Sequence, residues 1–467
     1  MNLKSTESLI SVVIVCHIIT LNSLVSFDID FYSRLLIFLS SSCIGFTLIA
    51  WSLIFARNSR LKILHNSMII FSILGYLTKT ILLLLDQSLL SVFKNYDHIH
   101  IQNYLPKAMS YSALYLLTIF IGINFAIMHL PKTVFIRPNK LKLSFSPSIF
   151  FFLLLLVLKV LVYYVLKMGL PGVIPVYEIP LIGGMLVFAV RIGLLFVINI
   201  FLFWSVYNKE DKKVVFLAVI LTVMNFGIDA SVGVKFSLIY QMYLYIIIFI
   251  VLEIYKKVSF KQYFLLVVLG TLVIFSYAHL NYYRFGLLRD LGPFESIVFA
   301  LENKPETSNF AYIFDILERI SGIENFLVTL INESNFSKVN SSGLLFDDVA
   351  KQYTEVYSGV EGAISASGST QLSILYLVAR ENLIMFMCLA VLMFSAILTW
   401  FRLCFSKGLN WLGSPIGLSL YQAYLSIFAI YFSFGTGNMI FYIKESLVAG
   451  LVIFSYVALC ASKFRNA

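Results

Sequence analysis

Long runs of apolar residues alternate with short polar connections along almost the whole chain. A helix needs about 20 apolar residues to cross the roughly 30 Å of hydrocarbon in a bilayer. Most of the runs reach that length, although the seventh is short and is predicted to be tilted or partly broken. The pattern predicts about twelve transmembrane helices, over residues 8–26, 34–55, 66–86, 108–130, 147–167, 183–206, 214–228, 236–254, 263–281, 382–403, 413–433 and 440–461.

The amino-acid composition agrees with this pattern. Of the 467 residues, 60% are hydrophobic and 12% are charged. Soluble domains have about 45–50% apolar and about 25% charged residues. The chain therefore has too little polar surface to cover a water-facing protein, which excludes a soluble enzyme. We predict an all-α, polytopic membrane protein with the lipid bilayer as its first partner.

Basic residues collect in alternate connections between the predicted helices. Four connections, near 57–62, 132–142, 209–213 and 256–261, each carry at least three Lys or Arg, and both termini add more. Cytoplasmic loops carry such an excess, so these connections and both termini are predicted to face the cytoplasm. This asymmetry explains the net charge of +10, and no nucleic-acid partner is expected.

One connection is far longer than the others and is predicted to be external. Residues 282–370 hold 12 of the 24 Asp and Glu but only six of the 34 Lys and Arg. Loops of this length usually carry function. The chain therefore divides into transmembrane helices 1–9 over 1–281, a large external loop over 282–370, and transmembrane helices 10–12 over 371–467.

Local signals predict short helices within the large loop. Pro293 is a plausible first-turn residue for a helix through 294–302. Apolar residues at helical spacing predict an amphipathic helix over about 307–320, a second one that starts at Ser321, and a third over 344–357. We expect these helices to form a small cap over the external face.

Three charged residues, Lys79, Lys159 and Arg191, fall inside predicted spans. A charge at the centre of a membrane helix costs roughly 2.5–3.5 kcal/mol, so such residues are candidates for function. Arg191 follows a Gly- and Pro-rich stretch over 169–180 that cannot form a regular helix, and such backbone at membrane depth normally lines a cavity. Two interpretations of Arg191 stay open: it binds an anionic ligand, or it extends toward the membrane surface (snorkels) or pairs with Glu178.

Further cations and aromatic residues are predicted on the external side. Arg forms paired hydrogen bonds with phosphate oxygens and Lys supplies a point charge, so an anionic ligand is the predicted target. Lys235 can instead pair with Asp229. Arg289 can pair with its neighbour Asp290, and Arg319 can complement a helix dipole. The candidate ligand-binding residues on this side are Lys235, Tyr282, Tyr283, Arg284, Arg289, Arg319 and Arg380.

Three residues have the chemistry of a general base: His279, Glu318 and Glu324. Glu324 also stands three residues after Ser321, which is the spacing of a capping box, so it has a structural explanation. The stretch over 97–100 contains an Asp and two His in a predicted exposed connection, without a fourth ligand in view. We therefore predict no metal site and no cofactor.

Four short features occur in order along the chain. A Gly/Pro-rich segment precedes a span with an Arg, and a small-residue turn with a cation follows. An aromatic-Arg-x-Gly motif begins the large loop, and an Arg-x-Ser-Gly motif lies within it. These features are 169–191, Gly233 to Lys235, Tyr283 to Gly286, and Arg319 to Gly322. Together with the topology they resemble the O-antigen and capsule repeat-unit polymerases (Wzy-type), although that family more often has Arg where this chain has Lys235.

The resemblance implies a glycosyltransferase of the bacterial inner membrane. It implies that a growing glycan leaves undecaprenyl pyrophosphate and is joined to a sugar hydroxyl of the next lipid-linked unit on the periplasmic face. It also implies that a chain-length regulator is a protein partner and that the charge of the pyrophosphate is neutralised by a metal or by fixed cations. Because no metal site is predicted, cations are the expected choice. The cations it points to are Arg191, Lys235, Arg284 and Arg319. Two other classes stay open: an O-antigen ligase or related polyprenyl-linked glycosyltransferase, and a polysaccharide flippase or other transporter.

Overall fold

A computed structural model of the chain describes most of the helical regions. The described residues are 3–56, 62–86, 90, 98–129, 142–168, 182–207, 211–232, 243–244, 246, 283, 286, 291–302, 320, 322–336, 370–379, 382–409, 424, 430 and 439–462.

Helices make up nearly all of the described chain. They are α1 (Leu3–Ser26), α2 (Phe31–Ala56), α3 (Lys62–Ser72), α4 (Lys79–Leu85), α5 (His98–His129), α6 (Phe145–Val160), α7 (Ile182–Phe188), α8 (Leu194–Tyr207), α9 (Lys212–Ser231), α10 (Pro293–Glu302), α11 (Ile323–Ile331), α12 (Glu333–Phe336), α13 (Gln371–Ala379), α14 (Leu383–Leu409) and α15 (Met439–Cys460). Two short strands, β1 (Lys142–Leu143) and β2 (Ala461–Ser462), pair antiparallel.

Three π-helical turns interrupt these helices. They cover Ile73–Thr78 between α3 and α4, Leu161–Val165 after α6, and Ala189–Gly193 between α7 and α8. A π-turn adds one residue to a helical turn, and such turns occur frequently at functional sites. Each of the three contains, or lies within two residues of, one of the charged residues that the sequence places inside a span.

Seven described helical segments are long and apolar enough to cross a membrane. They are Glu7–Ser26, Phe31–Ile54, Leu64–Leu85, Ile99–Phe125, Phe145–Val165, Gly183–Ser205 and Lys212–Ser231. Leu383–Ala396 and Leu447–Cys460 are shorter apolar helices. The helical fold class is therefore confirmed, with seven described helices able to span a membrane. Three further predicted spans fall almost entirely outside the described residues, so the total of twelve stays a prediction.

Two boundaries differ from the sequence prediction. The seventh span is neither short nor broken, because α9 is a continuous helix of 20 residues whose first turn is capped by the Asp211 carboxylate. Its polar residues near the end are buried against protein, which an apolar-run criterion does not anticipate. Helix α5 begins at His98, ten residues before the predicted start of the fourth span, and includes Pro106. The predicted exposed connection over 97–100 is therefore helical from residue 98 onward.

The chain forms two compact units. Unit 1 contains Met1–Pro131, Ile313–Trp400 and Phe428–Tyr442, and unit 2 contains the rest. In unit 1, α2 packs against α1 and α5, while α11 packs against α4, α5 and α13. Trp51, Tyr76 and Tyr115 are fully buried in its core. The large loop divides between the units, because residues up to Tyr312 group with unit 2.

Unit 2 is built around α8, which packs against α6 and α9. A helix that is apolar on every side is normally buried, and 72% of the most apolar part of the Gly183–Ser205 span is buried, against 28% for Lys212–Ser231. Gly193 lets α15 approach closely, because a Cβ there would lie 2.9 Å from side-chain carbons of Val452. The two strands join α6 and α15 at one end of the unit.

The described helices of the large loop agree only in part with the predicted cap. Helix α10 begins at Pro293 and ends at Glu302, as predicted. Helix α11 begins at Ile323 rather than Ser321. Its apolar residues Phe326, Leu327 and Leu330 are buried, and so are the polar residues Glu324 and Thr329. The predicted helices over 307–320 and 344–357 lie outside the described residues, except for Ile320.

Candidate functional site

The structure describes three of the eleven predicted site residues: Arg191, Tyr283 and Glu324. Arg191 and Tyr283 belong to unit 2, whereas Glu324 belongs to unit 1. The other eight lie outside the described residues. They are Lys235, His279, Tyr282, Arg284, Arg289, Glu318, Arg319 and Arg380.

A buried ion pair occupies the interior of unit 2. The Lys159 ammonium, on α6, lies 2.7 Å from Oδ1 of Asp229 and donates a hydrogen bond of 2.6 Å to Oδ1 of Asn225. Asn225 and Asp229 are four residues apart on α9, so they share one face of that helix. All three side chains are at most 2% exposed. The sequence offered Asp229 as a partner for Lys235; it lies inside α9 and pairs with Lys159.

Arg191 lies near this pair. It lies in the π-turn between α7 and α8, and its charge acts on both Lys159 and Tyr163. The Lys159 ammonium is also 5.6 Å from the centre of the Tyr163 ring. One carboxylate and two basic side chains thus lie close together. We call these residues the unit 2 charge cluster: Lys159, Tyr163, Arg191, Asn225 and Asp229.

The first residue of the aromatic-Arg-x-Gly motif lies next to the charge cluster. The Tyr283 hydroxyl donates a hydrogen bond of 3.0 Å to the backbone carbonyl of Ser231, the last residue of α9. The Ser231 hydroxyl in turn bonds to Tyr164, on the π-turn that follows α6. Burial raises the pKa of Tyr283 above its ordinary value, so the hydroxyl stays protonated and keeps donating at neutral pH. Helix α9 thus carries both Asp229, the partner of Lys159, and Ser231, which bonds to the motif that begins the large loop.

A second buried ion pair lies in unit 1. The Lys79 ammonium, on α4, bonds to the Glu324 carboxylate and to the backbone carbonyl of Ile320. Both side chains are at most 1% exposed. The N-cap residue of α11 is Gly322 rather than the predicted Ser321. Because the Glu324 carboxylate is buried and already bonded to Lys79, it is a weak candidate for a base.

The segment that carries Glu324 is embedded among membrane helices. Gly322 lies so close to the π-turn after α3 that a Cβ would overlap the Gly75 carbonyl oxygen. Gly75 is the twelfth residue of the 22-residue Leu64–Leu85 span, close to its middle. On the other side of α11, Thr329 donates a hydrogen bond of 2.9 Å to Ser373 of α13. This part of the large loop therefore reaches the depth of the spans and is not a surface cap.

A partly exposed group of polar residues lies farther along the same loop. The Tyr376 hydroxyl donates a hydrogen bond of 2.9 Å to Glu333, and the Lys107 ammonium is 3.7 Å from the same carboxylate. Lys107 also lies 5.1 Å from the centre of the Tyr376 ring. Since Lys107 and Glu333 are about one-third exposed, water screens their attraction, and the pair is worth little.

The two buried lysines occupy equivalent positions in their spans. Lys79 and Lys159 each lie six residues before the end of a span, at Leu85 and Val165 respectively. At 1.5 Å per residue this is about 9 Å below the end. These ends face outward in the predicted orientation, so both ion pairs fall in the outer half of the bilayer.

The sequence indicated that both lysines are costly to bury in a membrane helix, but neither was among the predicted site residues. It also missed Asn225 and Asp229. A usable signal was present, because Asn225 and Asp229 recur at a spacing of four within an otherwise apolar stretch that ends beside a predicted external turn. The neighbouring residues in the sequence do not specify which lysine pairs with which carboxylate.

Among the described residues, no group of three or more His, Cys, Asp or Glu is arranged to hold a metal ion. The chain matches no protein-family model, no curated protein and no solved structure. The resemblance to repeat-unit polymerases therefore stays a prediction that rests on topology and on four short motifs.

Proposed function

We propose that this protein is a membrane glycosyltransferase that polymerises lipid-linked oligosaccharide repeat units on the periplasmic face of the bacterial inner membrane. The sequence supports this through its many apolar spans, its basic cytoplasmic loops and the ordered motifs. The observation that carries the proposal is the unit 2 charge cluster. It places an intramembrane Arg beside a buried ion pair on the helix whose end bonds to Tyr283, and Arg284 follows Tyr283 directly.

The proposed reaction transfers a glycan between two lipid-linked molecules. The oxygen of an acceptor sugar hydroxyl forms a bond to the anomeric carbon of the growing chain. The bond from that carbon to the pyrophosphate oxygen breaks, and undecaprenyl pyrophosphate leaves with the electron pair. A general base, for which His279 and Glu318 are the stronger candidates, takes the hydroxyl proton.

Negative charge develops on the pyrophosphate as it leaves, and fixed cations lower the energy of that state. Arg191 and Arg284 are the proposed contacts, because Arg offers several donors to phosphate oxygens. Lys159 is already paired with Asp229, so its proposed role is to hold α6 and α9 around Arg191. Lys235, Arg289, Arg319 and Arg380 complete the proposed cationic surroundings, with Tyr282 and Tyr283 near the sugar.

The test is the surface polysaccharide profile of a strain that lacks this gene, complemented with variants. We expect the deletion to reduce the ladder to core plus one repeat, and Arg191→Ala or Arg284→Ala to leave it so. Arg284→Lys should restore only part of the ladder, since Lys cannot form the paired hydrogen bonds. All variants must reach the membrane at wild-type levels.

Arg34, an arginine near the start of the Phe31–Ile54 span, provides a matched control. It belongs to unit 1, and its guanidinium donates a hydrogen bond of 3.0 Å to the Phe27 carbonyl. Arg34→Ala should therefore retain the full ladder. A full ladder in the Arg191→Ala and Arg284→Ala strains would remove both residues from the proposed site.

Transport of a lipid-linked glycan is a second candidate function, favoured by one observation. Each unit holds a Lys–carboxylate pair buried within its spans, and intramembrane charges of this kind are typical of transport pathways. The same gel separates the classes. Loss of even the single-repeat band would favour a flippase or a ligase, and accumulated lipid-linked polymer would then identify the ligase.

A further inference from the structure

Helix α10 carries apolar residues on its outside and small residues on its inside. Phe294 is 76% exposed and Leu301 is 55% exposed, whereas Ser296 and Ala300 are at most 4% exposed. Ile297 and Val298 are exposed as well. The apolar positions follow the i, i+3, i+4, i+7 spacing and form one stripe about 100° wide. We call it the α10 stripe: Phe294, Ile297, Val298 and Leu301.

Contacts on the opposite face hold α10 close to the end of a membrane span. Tyr283 bonds to the carbonyl of Ser231, where the Lys212–Ser231 span ends. Gly286 is three residues farther along, at most about 11 Å of extended chain. A Cβ on Gly286 would lie 2.9 Å from the Cα of Ser296, so this backbone packs directly on the small face of α10. The helix is thus fixed near the membrane surface.

The charge of α10 indicates which part of a lipid it meets. Its only ionisable residues are Glu295 and Glu302, and it has no Lys or Arg. Glu295 accepts a hydrogen bond of 3.0 Å from the Gly292 N–H, which caps the first turn. A helix with two carboxylates and no cation gains nothing from anionic headgroups, so its affinity for a membrane comes from apolar contact.

We propose that α10 is an interfacial helix whose stripe is buried among the acyl chains of the leaflet beside Ser231, the outer leaflet in the predicted orientation. Contact with acyl chains removes a continuous apolar stripe from water, and such stripes on protein surfaces mark interaction sites. The proposal does not depend on the polymerase function, because it uses only the described contacts of unit 2.

Spin labels at single cysteines test the proposal in the purified full-length protein, with native cysteines replaced and phosphatidylcholine nanodiscs as the bilayer. Labels at Ile297 and Leu301 should be several-fold more accessible to oxygen than to a water-soluble nickel chelate. Val223, which is 63% exposed on the seventh span, gives the lipid reference. Lys212, exposed at the start of the same helix, gives the aqueous reference.

Two results would overturn the proposal. Chelate accessibility equal to that of Lys212 would show that the stripe faces water. Exclusion of both reagents would show that protein covers it, either another segment of this chain or a second copy. Replacing part of the phosphatidylcholine with an anionic lipid should leave the accessibilities unchanged, and a marked deepening would contradict the apolar mode of contact.

Discussion

At the scale of single residues, the free energy of unfolding is sensitive to two buried ion pairs. Removing one partner from a buried pair costs about 3–5 kcal/mol, because the other charge stays buried without compensation. Lys159 and Asp229 are both at most 2% exposed, and the second hydrogen bond to Asn225 further restricts the ammonium. Breaking the Lys159–Asp229 pair is therefore expected to destabilise the protein by more than the intact pair stabilises it.

We predict that Asp229→Leu destabilises the protein by about 3–5 kcal/mol, whereas the double variant Lys159→Met/Asp229→Leu recovers most of that loss. The single variant leaves Lys159 charged in an apolar interior, and the double variant replaces both charges with apolar groups. Thermal unfolding in a fixed detergent measures the difference.

The matched control is Lys107→Met, which breaks a pair that is about one-third exposed and should cost about 0–1 kcal/mol. If Asp229→Leu unfolds at the wild-type temperature, the buried pair described here does not exist in the protein.

At the scale of secondary-structure elements, the position of α11 depends on close backbone packing. Gly322 has no side chain, which allows the start of α11 to touch the π-turn at Gly75. Lys79 then bonds to the Ile320 carbonyl and the Glu324 carboxylate on either side of that contact. One glycine and one ion pair thus keep part of an acidic loop within a bundle of apolar helices.

Gly322→Ala should displace α11 and lower the unfolding temperature by several degrees, because the new Cβ would overlap the Gly75 carbonyl. Gly227→Ala is the control, since no heavy atom lies within 4 Å of a Cβ there. Alanine inside a helix is favoured over glycine by about 1 kcal/mol, so Gly227→Ala should leave stability unchanged or raise it. Equal unfolding temperatures for the two variants would contradict the close packing.

Helix positions were predictable from sequence where local hydrophobicity decides them. The start of α10 at Pro293 and most of the span boundaries fall where expected. The capping-box spacing gave Glu324 a local explanation, but its ion pair with Lys79 is a tertiary contact that this spacing does not reveal. The seventh span looked short for a similar reason: Asn225 and Asp229 are tolerated in α9 because Lys159 satisfies them.

At the scale of the whole molecule, the basic connections predict an orientation. A fluorescent protein fused to the C-terminus should be fluorescent, because it folds in the cytoplasm. Alkaline phosphatase inserted near residue 340 should be active, because that enzyme needs the external compartment. An insertion near residue 209, in a basic connection, should be inactive. A dark C-terminal fusion together with active phosphatase at 340 would mean an odd number of spans in total or a different path through the large loop.

The sequence by itself determined the class of protein, the positions of most described spans and the residues that are costly to bury. These depend on the composition of short stretches, because transfer of a helix into hydrocarbon is governed by its own side chains. Only the tertiary structure decided that Lys79 meets Glu324, 245 residues away, and that Lys159 meets Asp229 beside Arg191. Pairings of this kind form when distant helices pack together, and no local pattern specifies which buried charge will face which partner.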